Sequence, residues 1–214
     1  MSDVTVDVIA IGSLAQNKYW NEAAPVRQEY ATATLVRSGK MVLLVDPGWP
    51  AEVMRSALLY RAGLEPQAVT HVFVTHLDAA HYLGIGLFEK AKWWAYEEEI
   101  AYADAEWPAE APGRKVLANL DPAPVKFAVG VDLYPTFGHT AGHASVLVYS
   151  AIQNTIIAGD VVLTRDHFER GDLGEEPWDL AKAKTSFQDV LEIADTIVPG
   201  HDNVFVCRGA GAII

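Results

Sequence analysis

The chain has 214 residues, half of them hydrophobic and 21% charged, which suits a globular protein with a packed interior and excludes a disordered or fibrous chain. A formal net charge of −12 repels phosphate backbones over most of the surface, and no Lys/Arg cluster marks a local basic groove, so nucleic acid is disfavoured as a partner. No apolar run approaches the ~20 residues needed to span a bilayer, so no membrane partner is expected.

The length fits one domain over residues 1–214. The start lacks the basic-then-apolar layout of a signal peptide, and the single cysteine, Cys207, cannot form an internal disulfide and reads as a small buried residue. A cytoplasmic location is the expectation.

Val4 to Ile11 and Thr32 to Val36 have strand spacing, and Met41 to Val45 follows Gly39-Lys40, a two-residue hairpin signal. Asp46-Pro47-Gly48 closes that strand. Ala51 to Ala62 then carries Met54, Ala57 and Leu58 at helical spacing, and Gly63 stops the helix. Thr70 to Thr75 is the next strand and Lys92 to Tyr96 another; alternation there sends one of Trp93 and Trp94 inward and the other toward a helix or solvent. Glu97 to Ala103 is predicted helical, with Glu97-Glu98-Glu99, like Glu175-Glu176, on a solvated face. Between Asp104 and Pro124 the Ala, Pro and Glu content predicts a surface excursion. Phe127 to Phe137, Ser145 to Tyr149 and Thr155 to Ala158 form a second β-rich half, followed by a long polar loop from Val162 to Glu176. Trp178 to Ala194 is predicted helical, with Phe187, Val190, Leu191 and Ala194 at core-like spacing, and Thr196-Ile197-Val198 is a short strand. Two β-rich halves, each followed by helices, predict an α+β fold of four layers, an αββα sandwich.

Chemistry-bearing residues cluster where these strands end. The run Val72-Phe73-Val74 stops at Thr75-His76-Leu77-Asp78-Ala79-Ala80-His81, a metal-competent loop. Gly138-His139-Thr140-Ala141-Gly142-His143, Gly159-Asp160 and Pro199-Gly200-His201 each set a His or Asp beside glycine after a β-like or apolar segment. Four strand ends thus supply ligands to one site. His71 reads as structural. Arg165 reads either as a partner for an anionic substrate group or as a surface arginine, and His167 as a candidate substrate contact.

These residues resemble the metallo-β-lactamase superfamily, whose members carry His-x-His-x-Asp-His after a strand, then a later His, an Asp and a last His. His76 and His81 match the first and last positions of that motif, His139 the next ligand, Asp160 the metal-bridging carboxylate and His201 the final ligand. Asp46-Pro47-Gly48 resembles the superfamily's Asp-x-Gly turn, which implies that Asp46 supports the site from behind, as the resemblance also implies for His143. The family's loop arrangement brings Trp49, Tyr82, Phe168 and Trp178 near the site, so Tyr82, His167, Phe168 and Trp178 are the candidate substrate-binding residues.

Two positions depart from the pattern. Asp78 stands where the family has its second His, and Ala80 where it has an Asp. The first site implied by the resemblance is therefore His76, Asp78, His139 and Asp160, a harder set that moves preference toward iron or manganese without excluding zinc. The second is His81, His201 and the shared Asp160. Having lost its own carboxylate, it is expected to bind weakly. One or two divalent ions follow, with the first site favoured.

The segments Ala158-Gly159-Asp160-Val161, Phe168-Glu169-Arg170-Gly171-Asp172, Trp178 and Ile193 to His201 resemble the metallo-β-lactamase-domain-containing protein 1 group. That likeness implies hydrolase activity, in an animal member on RNA, although the acidic charge here opposes an RNA substrate. The expected activity is metal-dependent hydrolysis of a small ester, lactone or thioester, with Asp160 and Asp78 orienting or deprotonating water. A mononuclear non-haem iron oxidoreductase resembling the persulfide dioxygenases is the alternative, since His76, His139 and Asp160 make a two-His-one-carboxylate set. A catalytically degenerate metal-binding relative is the third. The expected partner is a small molecule, and a homodimer is a compatible assembly.

Overall fold

The hairpin expected at Gly39-Lys40 is present in the computed structural model, which describes residues 4–151, 153–174 and 177–207. Glu175-Glu176 lies outside the described residues. Strand β2 (Ala33–Ser38) turns directly into β3 (Met41–Val45), with Ser38 opposite Met41 and Val36 opposite Leu43, and β1 (Thr5–Ala10) pairs antiparallel on the other side of β2. Beyond β3 the sheet becomes parallel through β4 (His71–Phe73), β5 (Lys92–Ala95) and β6 (Leu120–Pro122). Parallel neighbours need crossovers. Helix α1 (Ala51–Ala62) supplies the first and ends at Gly63 in the left-handed conformation, φ 64°, which costs glycine nothing. The short α2 (Ala79–Tyr82) lies in the second crossover, and α3 (Glu97–Glu106) with α4 (Arg114–Leu117) forms the third.

The second sheet runs antiparallel through β7 (Lys126–Ala128), β8 (Val131–Pro135), β9 (Ala144–Tyr149) and β10 (Asn154–Gly159). It then continues in parallel to β11 (Thr196–Pro199) by way of α5 (Arg165–Arg170) and α6 (Leu180–Ile193), and β12 (Phe205–Val206) completes the edge. Strand order is β1 to β6 in one sheet and β12 down to β7 in the other.

Alternation along the central strands makes the four layers. Leu43, Val45 and Phe73 face Val146, Ile157 and Val198 in the core between the sheets. Their neighbours Leu44 and Val72 face outward, onto Met54 and Leu58 of α1. Ile156 and Ile197 likewise face Phe187 and Val190 of α6. Strands buried on both faces read as continuous apolar runs, and each Leu, Ile, Val or Phe removed from water contributes roughly 1.5–3 kcal/mol. Trp94 enters the inter-sheet core, stacked on Phe127 and His71, while Trp93 packs among the helices and donates to the Phe88 carbonyl.

Four expectations are corrected. The Asp104 to Pro124 excursion contains α4 and β6; Pro122 disguises that strand, and an edge position tolerates it. The Val162 to Glu176 loop contains α5, begun by the Thr164 hydroxyl accepting from the His167 amide and ended by Gly171. Phe127 to Phe137 is interrupted by a turn at Val129-Gly130, and β12 carried no recognised signal. Glu99 is buried, at 4% exposure, rather than solvated with Glu97 and Glu98. Among the described residues no helix is long and apolar enough to cross a membrane.

Candidate metal centre

The C-terminal ends of five strands converge at one rim of the sandwich. His76 follows β4, Asp78 immediately precedes α2 with its side chain free of the helix amides, and His81 lies within α2. His139 and His143 occupy the turn from β8 to β9, Asp160 follows β10, His201 follows β11 and Asp46 follows β3.

The side chains form two donor sets that share one carboxylate. In the first, His76 Nε2 lies 3.4 Å from Asp78 Oδ2 and 3.8 Å from Asp160 Oδ2; His139 Nε2 lies 4.0 and 3.5 Å from the same two atoms. In the second, Asp160 Oδ1 is 3.4 Å from His81 Nε2 and its Oδ2 is 3.2 Å from His201 Nε2. Both the His76, His139, Asp160 group and the His81, Asp160, His201 group are compact enough to hold a cation. His76 Nε2, His81 Nε2 and Asp160 Oδ1 are buried without a hydrogen-bond partner. Each such atom costs roughly 1–3 kcal/mol if nothing satisfies it, so three at one point fit a cation among them.

Hydrogen bonds behind the centre fix which nitrogen faces it. Asp46, with φ of 52°, accepts from the Thr75 amide at 2.8 Å, the Thr75 hydroxyl at 2.8 Å and His81 Nδ1 at 3.0 Å. With its proton given to Asp46, the Thr75 oxygen accepts from His76 Nδ1 at 3.1 Å. One carboxylate thus leaves the Nε2 lone pairs of both His76 and His81 facing inward. His201 Nδ1 donates to the Tyr30 carbonyl at 3.0 Å, with the same result. Both nitrogens of His143 are occupied: Nε2 accepts the Asp160 amide at 3.0 Å, and Nδ1 donates to Thr136, whose hydroxyl continues through Ser145 to the Ala158 carbonyl. His143 therefore anchors the Asp160 backbone.

The two sets differ electrostatically. Burial pushes His139 down to about 4, and burial also holds His143 well below the usual histidine range. The His76 imidazole beside it holds Asp78 down at about 2. Burial lowers His81 and His201 too, but the Asp160 carboxylate, with Asp46 beside His81, more than reverses this and leaves both raised. Burial raises Asp160, and the charges of His201 and His81 overcome it, so it lies well below the ordinary carboxylate value.

A cleft of about 370 Å³ opens above the centre, with Asp78, His139 and Asp160 on its floor and Leu14, Lys18, Glu29, Leu163 and His167 among its walls. A larger groove, near 620 Å³, is lined by Val4, Val6, Val8, Val148 and Val198 and includes none of these donors. Of the four candidate substrate contacts only His167 lines the cleft, its Nδ1 held 2.7 Å from the Thr164 hydroxyl. Phe168 is core, packed against Phe187 and Phe205. Tyr82 packs on the helix-side core. Trp178 is 48% exposed and edge-on to Tyr102, although its amide donates to the His139 carbonyl. Trp49 stacks on Tyr30 and donates to the Ala31 carbonyl. Arg165 pairs with Glu169 on the surface.

Two features were not anticipated. The segment between β1 and β2 forms a wall of the cleft, and nothing in its irregular composition marked it. Glu99 links the two halves of the first donor set: Oε1 accepts the Leu77 amide at 2.8 Å, and Oε2 accepts the Thr140 hydroxyl at 2.7 Å and the Gly142 amide at 3.0 Å. Its place in an acidic run concealed it.

Known proteins are similar to this chain in sequence and in fold. The family model described as the metallo-β-lactamase superfamily matches residues 26–201. Metallo-beta-lactamase domain-containing protein 1 of Homo sapiens is 30% identical over 187 residues, 82% of this chain and 63% of that protein, so the match spans less than two thirds of the relative's length. Among solved structures, a B. thuringiensis AiiA variant with N-decanoyl-L-homoserine bound at its active site has a TM-score of 0.67 at 19% identity, covering 93% of this chain and 92% of its own. AidC, a dizinc quorum-quenching lactonase, has a TM-score of 0.64 at 16% identity over 80% of this chain and 72% of its own.

Proposed function

As this chain belongs to the metallo-β-lactamase superfamily, we propose that it is a metal-dependent hydrolase of small esters, lactones or thioesters. The observation that carries the reading is the shared carboxylate: Asp160 stands between His76 and His139 on one side and His81 and His201 on the other, under an open cleft. A first ion would be held by His76, His139 and Asp160 with Asp78 beside them, and a second by His81, His201 and Asp160. A bound divalent cation supplies Lewis acidity, polarising a carbonyl and bringing the pKa of water from ~15.7 toward ~7.

The chain's own residues do the rest. Asp78, 62% exposed toward the cleft, stays ionised at neutral pH and orients an attacking water by accepting its hydrogen bond. Held at about 2, its carboxylate is too weak a base to keep a proton near pH 7. Asp160 is buried, and the His143 bond to its amide fixes its direction. The walls from Leu14, Leu163 and His167 bound a space suited to a small molecule, and solved structures of this fold hold N-acyl-homoserines.

The test is ester, lactone and thioester turnover by metal-loaded protein before and after chelation, with His139→Ala as control. Turnover that survives complete metal removal would sink the proposal. A second reading, a mononuclear iron oxidoreductase, rests on the compact His76, His139, Asp160 set. One iron per chain with oxygen uptake and no hydrolysis would favour it.

A further inference from the structure

Residues 14–29, between β1 and β2, form a body of their own. Ser13 and Tyr30 exchange backbone hydrogen bonds of 2.9 and 3.1 Å and close the ends of the segment into an Ω-loop. Within it the Val26 amide donates to the Ala15 carbonyl at 2.9 Å, the Asn17 amide to Glu22 Oε2 at 2.6 Å and Arg27 Nη1 to the Leu14 carbonyl at 3.0 Å. The base is fixed: the Ala31 amide donates to the Ala80 carbonyl at 3.0 Å, and the Thr32 amide to the Gly200 carbonyl at 2.6 Å. Beyond the base, among the described residues, no backbone–backbone hydrogen bond joins 14–29 to the rest of the fold.

Side-chain contacts hold the tip, and they converge on α5 and the turn after it. Asp172 Oδ2 accepts the Tyr19 hydroxyl and lies 2.7 Å from Lys18 Nζ, while its Oδ1 accepts the Gly174 amide at 3.1 Å. The Tyr19 ring meets His167 edge-on at 5.0 Å and lies under the Arg170 guanidinium at 4.3 Å. Trp20 Nε1 donates to Asp166 at 3.0 Å on the exposed side. Glu29 Oε1 lies 3.9 Å from His201 Nε2, beyond hydrogen-bond reach. Burial pushes the Asp172 carboxyl up, but the bonds from Lys18 and Tyr19 bring it below its ordinary value, so it is ionised at neutral pH. A loop bonded within itself, fixed at its base and joined elsewhere mainly through one carboxylate lifts as a unit when a few side-chain bonds break.

We infer that residues 14–29 are a lid over the metal centre, hinged at the Ser13–Tyr30 bridge, and that Asp172 is the latch that keeps it closed. Leu14, Ala15, Gln16, Lys18, Pro25 and Glu29 line the cleft, so lifting the loop removes one wall, and closing it shields the donors from bulk water. His167, Leu173 and Gly174 line the cleft from the segment that carries Asp172. The latch therefore joins two walls of the same cleft. That the lid covers a metal centre rests on the proposed function; that the loop opens at Asp172 does not.

The test is amide hydrogen exchange of the full, zinc-loaded chain, read by mass spectrometry on peptides from 14–29 and from the sheets, with the rate of zinc release to excess chelator measured beside it. Asp172→Asn keeps the side-chain shape and the acceptor for Gly174 and removes the charge; Tyr19→Phe removes one hydroxyl and keeps the ring against His167. Losing a charge-assisted hydrogen bond should speed exchange in 14–29 at least ~10-fold in Asp172→Asn, leave the sheet peptides unaltered and raise the rate of zinc release. Tyr19→Phe should move the same peptides by less, because Lys18 still holds Asp172. Unaltered exchange in 14–29 would overturn the latch, and so would faster exchange throughout the sheets in both variants, which would make Asp172 and Tyr19 supports of the whole fold. Should Asp172→Asn alone disturb the sheets, Tyr19→Phe decides. A loop that loosens with no change in zinc release would overturn the lid. A parent that binds no zinc would overturn the proposed function and the lid with it, while exchange in the metal-free chain still decides whether Asp172 latches the loop.

Discussion

Asp46 Oδ2 lies 3.0 Å from His81 Nδ1, and the same oxygen accepts the Thr75 hydroxyl that in turn accepts from His76. One carboxylate therefore sets the tautomer of a histidine in each donor set. Asp46→Asn presents an N–H to His81 Nδ1 or loses the Thr75 bond. The first outcome forces the proton onto Nε2, where no cation can bind. Metal affinity is expected to fall roughly 10–100-fold, as read by competition with a chelating dye. Unchanged affinity would show that His81 is held by something else.

Glu99 joins the loop after His76 to the loop after His139 through three hydrogen bonds. In Glu99→Gln, a side-chain amide N–H meets either the Gly142 or the Leu77 N–H. One buried mismatch of this kind costs about 1–3 kcal/mol, expected in urea unfolding of metal-free protein. The first ion should also bind more weakly, because its donors come from both loops. Lost stability with unaltered metal binding would make Glu99 purely structural.

Much of this was legible in the chain because two signals are local. Alternating apolar residues name strands, and a His or Asp beside glycine at a strand end names a rim; the strands from Met41 and Thr70 and the helix from Ala51 follow from them, as does the convergence of His76, His81, His139, Asp160 and His201. What was missed depends on distant contacts. Leu120-Asp121-Pro122 becomes a strand only because β5 offers an edge, and Glu99 is distinguished from Glu97 and Glu98 only by the loops that descend on it. Phe168 and Trp178 do not line the cleft for the same reason: α5 turns the first into the core, and the second lies exposed and edge-on to Tyr102.

Protonation separates the two donor sets. Burial depresses His139, to about 4, and His143, so the stability of the metal-free fold is lost as pH falls below the ordinary value of 6.5 and the unfolded chain takes up protons that the fold refuses. Despite burial, His81 and His201 are raised by Asp160. Their contribution is complete below 6.5 and is lost as pH rises through their raised values. With chelator present, the urea midpoint should therefore peak near pH 6.5. Cations reverse the upper limb, because they displace protons from His81 and His201; as pH falls, the second ion should leave before the first. A midpoint rising monotonically from pH 5 to 9 in chelator would contradict these signs.

Gly200 sets the distance between the final histidine and the shared carboxylate. A Cβ built there would lie 2.0 Å from Asp160 Oδ1 and 3.1 Å from the carbonyl of Gly159. The constraint is space rather than dihedral angle, since Gly200 is absent from the positive-φ residues. Gly200→Ala must therefore displace either the β11 turn or the Asp160 side chain. The turn is held by the Gly200 amide on the Val162 carbonyl and the His201 amide on the Leu163 carbonyl. The carboxylate, which has unpaired Oδ1, is freer to move, and it carries both donor sets with it. Overpacking of this kind costs typically ~1–3 kcal/mol. Both ions should bind at least ~10-fold more weakly, about 1.4 kcal/mol each. Isothermal titration with zinc reads the two affinities: loss at one ion alone would mean that Asp160 does not bridge, and loss at neither would mean that the turn yields instead.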